Sequence, residues 1–320
     1  MAQIDELRLA VRVARMYYQW DMKQSEIAKR LGLSQPTISR LLQQAKQNGV
    51  VRISVTAPQG VYTELEEDLL RCYRLRDAVV VDCSSDQDDR MIEREIGGAA
   101  AYYLESALRP NEIIGISSWS ATLLALVDAM HSVARKGDVR VVQILGGVGD
   151  PSAEVHANRL TSRFADLVGG VPVYLPAPGV LGSAAARKVL LADAYVHDVI
   201  TLFDQVTTAL VGIGAIEPSK LLLASGNIFI AHELDLLRSK GAVGDILLRF
   251  FDIAGKPVDT PLNDRVVSMR LDQLARVDRS IGVAGGARKY AAILGALRGG
   301  WINVLITDQF TARRLVAEAS

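Results

Sequence analysis

Apolar positions recur with two different periods along the 320 residues, and the change of period divides the chain. Over roughly the first fifty residues the period is helical. Ile4, Leu7, Val11, Ala14 and Tyr18 predict an amphipathic opening helix. Gln24 to Leu31 predicts a second, ended by Gly32 at a C-cap position. Ser34 is a natural N-cap for a third, and Pro36 sits in its first turn, where a missing N–H costs nothing. Asn48 and Gly49 stop that helix. Val51, Ile53 and Val55 then alternate with Arg52 and Ser54 as a short wing strand, and Ala57-Pro58-Gln59-Gly60 reads as a linker.

From residue 61 short, continuously apolar runs alternate with helical stretches. Strands are predicted at 78–81, 113–116, 139–144, 171–175, 208–213, 246–250, 280–283 and 302–306. Helices are predicted at 91–107, 122–134, 158–168 and 288–297. Apolar strands joined by helices imply a parallel sheet covered on both faces. The expected fold class is α/β: a small all-α head with a wing strand over 1–57, and a larger doubly wound domain over 58–320.

Composition adds a core and little else: 49% hydrophobic and 22% charged residues exclude a disordered chain. Charge changes the picture more. The whole chain is formally neutral, yet residues 1–56 hold nine Lys/Arg against four Asp/Glu, a net of +5, and the remainder carries −5. A basic head on a mildly acidic body points to contact with a polyanion.

Inside the head the spacing is that of a helix-turn-helix. Ala28 is the small residue where two steeply crossing helices approach, Gly32 makes the turn, and Ile27, Leu31, Leu33, Ile38 and Leu41 pin the second helix on the first. Gln35, Thr37, Ser39, Arg40 and Gln43 then face outward, as residues suited to base edges and phosphates. Lys29, Arg30, Lys46 and Arg52 flank them as phosphate contacts, and Gln24, Ser25 and Ser34 at the two helix starts complete the expected DNA-binding set. An ordinary helical hairpin with solvated charges is the bland alternative.

In an open α/β sheet, ligands bind at the carboxyl ends of strands, where helix N-termini point. After strand 113–116 comes Ser117-Ser118-Trp119-Ser120-Ala121-Thr122, whose four hydroxyls exceed what a helix cap needs and suit an anion. Gly146-Gly147-Val148-Gly149 and Gly214 follow two further strands. Neither leads into Lys-Ser or Lys-Thr, so no nucleotide P-loop is expected. Ala284-Gly285-Gly286-Ala287-Arg288-Lys289 places a lysine in a helix's first turn, where the dipole disfavours cations unless an anion lies between. A solvated lysine is the other reading. Asp245, beside Gly244 and before another strand, either accepts hydrogen bonds from sugar hydroxyls or caps a turn.

Several chemistries find no support. Cys72 and Cys83 fit no zinc or redox spacing and argue for a reducing compartment, the cytoplasm. The four histidines are scattered, so no metal is expected, and no cofactor motif or nucleophile elbow occurs. Asp5, Glu6 and Arg8 are unlike a signal peptide, and the apolar runs are too short to span a membrane.

Taken together the motifs resemble the SorC family of bacterial sugar-binding transcriptional regulators, of the deoxyribonucleoside-regulator type. In the head the resemblance rests on Gln24-Ser25-Glu26-Ile27-Ala28 and on Ser34 through Leu42. In the body it rests on Gly115 through Thr122, Gly212-Ile213-Gly214, Gly241 through Asp245, Ala284-Gly285-Gly286 with Lys289, and Leu305 through Asp308. It departs at Ser120, where relatives often carry Gly.

The resemblance implies an effector domain like the ribose-5-phosphate isomerases and glucosamine-6-phosphate deaminases, adapted for sensing. It implies a phosphorylated sugar or polyol bound by Gly115, Ser117, Ser118, Trp119, Ser120 and Thr122, with Gly146 and Gly147 close by and Asp245 and Lys289 on the sugar side. It further implies a homo-oligomer, tetramer or dimer, controlling a carbohydrate operon through double-stranded operator DNA, as a repressor and not an enzyme. The alternative is a sugar-phosphate isomerase or deaminase carrying a DNA-binding appendage, with Asp245 or Asp308 as the base its chemistry requires.

Overall fold

A computed structural model describes residues 2–51, 58, 60–117, 119–133, 137–147, 151–217 and 231–319, with the side chains of 2–6, 151–157 and 231 excepted. The predicted wing strand beyond Val51, including Arg52, lies outside the described residues, as does Ser118. The chain forms two compact units, Met1–Pro58 and Gln59–Ser320.

The first unit is three helices, α1 (Ala2–Tyr18), α2 (Gln24–Leu31) and α3 (Gln35–Gln47). Gly32 takes a left-handed φ of 66° and ends α2, while the Ser34 hydroxyl accepts from the Thr37 amide at 3.3 Å and starts α3. Their core joins Ile27, Ala28, Ile38, Leu41, Leu42 and Ala45 to Ala10, Val13, Ala14 and Met16 of α1. The expected face of α1 is therefore corrected. Among the residues of its predicted stripe whose side chains are described, only Ala14 is buried, and Leu7 and Tyr18 are each 41% exposed. The buried face is instead the one that holds Ala10, Val13 and Ala14, where small residues let the helix axes approach closely.

In the second unit α4 (Thr63–Tyr73) precedes β1 (Asp77–Val81), α5 (Asp89–Ala107), β2 (Ile113–Ile116) and α6 (Ala121–Ala129). There follow β3 (Arg140–Gln143), α7 (Pro151–Val168), β4 (Val171–Val173), α8 (Ala184–Leu191), α9 (Ala194–Thr201), β5 (Thr208–Gly212) and β6 (Gly214–Ala215). The remainder is α10 (Ala231–Ser239), β7 (Ala242–Ile246), β8 (Arg249–Asp252), α11 (Leu271–Leu274), β9 (Arg279–Val283), α12 (Tyr290–Arg298), β10 (Val304–Asp308) and α13 (Gln309–Ala319).

Seven strands make one wholly parallel sheet in the order β1-β10-β9-β5-β2-β3-β4. Alternate side chains feed two cores. Ile114, Val141, Leu210, Ile281 and Ile306 pack with α5, α6 and α7, whereas Ala209, Val211 and Leu305 pack with α9, α12 and α13. Burial on both faces explains the unbroken apolar runs of these strands.

From β2 the chain winds outward through β3 and β4, then returns to β5 on the other side of β2 and winds away through β9 and β10. The strand order thus reverses between β2 and β5, and a crevice opens there at their carboxyl ends. Among the described residues no helix is long and apolar enough to cross a membrane.

One predicted strand is wrong. Residues 246–250 straddle a two-residue turn, and residues 242–245, read as preceding a strand, form β7 together with Ile246. It pairs antiparallel with β6 and β8 in a separate three-stranded sheet. The turn residues Leu247 and Leu248 have φ of 57° and 61°. Such turns normally announce themselves with Asn-Gly, and two leucines hide it.

Candidate functional site

On the head, Gln35, Ser39, Arg40 and Gln43 are exposed along α3, and Arg40, Gln43, Gln44 and Gln47 line a shallow groove. Ser34 and Thr37 hold each other, hydroxyl to hydroxyl, at 2.8 Å, which fixes the start of α3 and leaves the middle of the helix to present side chains. Ser25, Lys29 and Arg30 are exposed on α2, Gln24 is half-buried at its first residue, and Lys46 is exposed near the end of α3. The outer face of α3 thus carries amides and a guanidinium, side chains of the kind that hydrogen-bond to base edges.

In the body, a cleft lies at the carboxyl ends of β2, β5 and β9, at the reversal of strand order. Ser117, Trp119 and Ser120 come from the loop after β2, Lys289 from the start of α12, and Asp245 from β7. The structure thus brings five of the predicted residues together.

Two glycines make this possible. A Cβ on Gly212 would lie 2.5 Å from the Ser120 hydroxyl, and one on Gly214 would lie 2.2 Å from Asp245 Oδ1. Ser120 also caps α6, accepting from the Leu123 amide at 3.3 Å. The indole Nε1 of Trp119 is buried without a hydrogen-bond partner among the described residues.

Other predicted residues fall elsewhere. Gly115 is buried on β2, where a Cβ would strike Ile144, so its role is packing. Thr122 is buried in the first turn of α6, outside the cleft lining. Gly146 and Gly147 lie against the segment 177–178: a Cβ on Gly146 would meet the Ala177 carbonyl at 2.5 Å, and the Gly147 amide donates to that carbonyl at 2.9 Å. From this loop Leu145 lines the cleft instead.

Asp308, a candidate base in the enzyme alternative, is fully buried and accepts from the Gly286 amide at 2.7 Å, the Thr311 amide at 2.8 Å and the Thr311 hydroxyl at 2.7 Å. It ties the loop after β9 to the start of α13.

Electrostatics separate the two sides of the cleft. Lys289 is nearly buried, its Nζ 3.7 Å from Glu93 Oε1 on α5; desolvation pulls its pKa below the ordinary lysine value, with Glu93 opposing the shift. Lys289 is therefore not a solvated lysine. Burial pushes the Asp245 carboxyl up to about 6, against the hydrogen bond from the Leu248 amide at 2.9 Å. Of the two roles open to Asp245, it does cap the turn through Oδ2, and it borders the cleft as well.

A test of that burial follows. A carboxyl whose pKa is raised by folding binds more protons in the native state between about 4 and 6, so its contribution to stability falls as pH rises through that window. The stability difference between wild type and Asp245→Asn should decline from pH 4 to 6 and stay level above. Urea midpoints across pH measure it, and a flat difference would count against the assignment.

Comparisons with known proteins cover both units. Residues 58–317 match the family profile described as "putative sugar-binding domain", and residues 5–52 match a homeodomain-like domain. The chain is 36% identical to the deoxyribonucleoside regulator of Bacillus subtilis over 98% of each protein. It is 33% identical to the sorbitol operon regulator of Klebsiella pneumoniae over 99% of this chain and all of that one. The crystal structure of full-length SorC, the Klebsiella pneumoniae sorbitol operon regulator, superposes with a TM-score of 0.73 at 31% identity, covering 98% of this chain and 99% of that one. The protein belongs to the SorC family of sugar-binding transcriptional regulators.

As a SorC-family member it is a DNA-binding transcriptional regulator, with a helix-turn-helix head and a sugar-binding body. The cleft of this SorC-family regulator also takes in Glu93, Glu217, Leu247, Leu248 and Arg288, which sequence reasoning did not single out for it. Arg288 was visible only as Lys289's neighbour. Glu93 gives no signal in sequence, standing inside an ordinary amphipathic helix nearly two hundred residues before the lysine it faces.

Proposed function

We propose that the cleft binds a phosphorylated sugar or polyol and that occupancy changes the protein's hold on operator DNA, so that it represses a carbohydrate operon in the cytoplasm. The reading is carried by the hydroxyl-bearing start of α6 standing in one cleft with the desolvated Lys289, and with Asp245 bordering the same space. Backbone amides at a helix start and a poorly solvated cation favour a phosphate, and a carboxylate accepts from sugar hydroxyls. Ser118 stands with Ser117 and Ser120 in this loop sequence and is assigned to the phosphate with them, while Arg52 is assigned to the DNA backbone. A thermal-shift screen of phosphorylated and free sugars and polyols is the test: stabilisation by a phosphorylated compound and not by its free form is expected, and indifference to all would overturn the reading.

Several finer points belong to this proposal. The effector shifts the oligomer, a tetramer or dimer, between arrangements whose heads fit the operator half-sites unequally, which requires it to bind one arrangement more tightly. Catalysis is not expected. Of the two carboxylates considered as bases, Asp308 is engaged by three hydrogen bonds, and ribose 5-phosphate and glucosamine 6-phosphate should pass through unchanged.

The DNA half has its own test. Arg40→Ala removes the exposed guanidinium of α3, and a lost base contact of this kind is worth about 1–3 kcal/mol, roughly 5- to 150-fold in affinity. Fluorescence anisotropy with DNA from the protein's own promoter should show that loss, and an unchanged affinity would remove Arg40 from the contact set.

A further inference from the structure

The first two turns of α5 touch both the cleft and the place where the chain enters the body. On the cleft side, Asp89 Oδ2 accepts from Arg288 Nε at 2.9 Å, and Glu93 stands 3.7 Å from Lys289. Two residues past Glu93, Glu95 accepts from the Ser84 amide at 3.2 Å and from its hydroxyl at 3.0 Å. Ser84 lies two residues from Asp82, and Asp82 Oδ1 accepts from the Tyr62 hydroxyl at 2.6 Å. Gly60, with a φ of 82°, packs so closely that a Cβ there would lie 3.2 Å from Asp82 Oδ2. Arg313 covers the Tyr62 ring at 5.4 Å. Between the two ends, the Asp86 carbonyl accepts from the Ala287 amide at 3.2 Å, which fastens the loop 82–89 to the residue just before Arg288.

Lys289 and Glu93 make an imperfect pair. At 3.7 Å the charges attract without a close hydrogen bond, in a setting where both have lost water. An anion in direct contact with Lys289 and Arg288 would form shorter, charge-assisted bonds and release the two acids of α5. The cations thus have two sets of partners, and such an alternative lets one site bias another.

We propose that α5 and the loop 82–89 couple the cleft to the Tyr62–Asp82 anchor: an anion that takes Arg288 and Lys289 from Asp89 and Glu93 resets Glu95 and Ser84 and moves the anchor from which the chain leads to the head. The functional part of this rests on the cleft being an anion site, but the coupling itself can be tested without any effector.

The experiment uses the full-length protein labelled with 3-fluorotyrosine. Tyr62→Phe assigns the Tyr62 fluorine line among the nine tyrosines. Arg288→Gln and Glu93→Gln each break a cation–acid pair at the cleft, and each should move the Tyr62 line by more than its width while the line of exposed Tyr195 stays in place. With Glu95→Ala added, both hydrogen bonds to Ser84 are removed and Arg288→Gln should no longer move the Tyr62 line. A Tyr62 line that ignores both cleft variants, or that responds equally without Glu95, overturns the proposal. Neither result depends on whether a sugar phosphate binds, so failure here is distinct from failure of the effector reading.

Discussion

Lys289→Ala is expected to leave operator binding intact and to abolish the response to a phosphorylated sugar. The lysine stands at the start of α12, nearly buried, with Glu93 as its acidic neighbour at 3.7 Å and no part of the head within its own compact unit. Its positive charge sits at the wrong end of a helix dipole and in poor solvent, two costs that a bound anion would offset. A hydrogen bond to a charged group contributes about 1.5–3 kcal/mol, so affinity for the effector should fall roughly 10- to 150-fold. Anisotropy with promoter DNA, titrated with the sugar phosphate that stabilises the wild type, separates the two outcomes. A variant released at wild-type effector concentrations would remove Lys289 from the site.

The second large effect concerns the opposite end of the sheet. Arg279 and Glu112 form a buried ion pair at the amino ends of the strands, and they are 4% and 5% exposed. Arg279 also donates to Thr208 Oγ1 at 3.2 Å and to the Ala107 carbonyl, and Glu112 accepts from Thr208 Oγ1 at 3.0 Å and from the Arg109 amide at 3.0 Å. The cluster staples β9 and β5 to the chain just before β2. Glu112→Ala would strand a buried guanidinium, and breaking such a pair costs about 3–5 kcal/mol. Urea unfolding followed by circular dichroism should show that loss. The double variant Glu112→Leu with Arg279→Leu should recover most of it, because neither charge is then left unpaired. Equal losses in the single and double variants would mean that the cluster acts through shape alone.

How much was legible in the sequence varies with the distance over which each feature is determined. Gly32, Ser34 and Pro36 act on backbone within a turn of themselves, and so the second and third helices were readable to the residue. The central strands were readable because burial on both faces makes their middles apolar, with the polar Thr208, Arg279 and Ser280 confined to the amino ends. The buried face of α1 was not, because apolar Leu7, Val11 and Tyr18 lie outside it and only packing against the partner selects among the apolar positions. The β7–β8 hairpin was missed because Leu247 and Leu248 hold a left-handed turn that burial and the Asp245 carboxylate enforce from outside the turn itself. Gly146 and Gly147 suited either the approach of a ligand or a tight turn, and the close passage of backbone that they allow at 177–178 is something that spacing does not carry.

From its residues alone the chain declares a basic helix-turn-helix, a parallel α/β body and a hydroxyl-bearing loop before a helix, because caps, periodicity and charge are written in short stretches. Which loops meet was decided by tertiary structure. Strand order sets the loops after β2, β5 and β9 side by side, and it brings Glu93 to Lys289 and Asp245 to Gly214 across gaps that no local pattern spans. A ligand site in a doubly wound sheet is made where the winding reverses, and the direction of winding is a property of the packed whole.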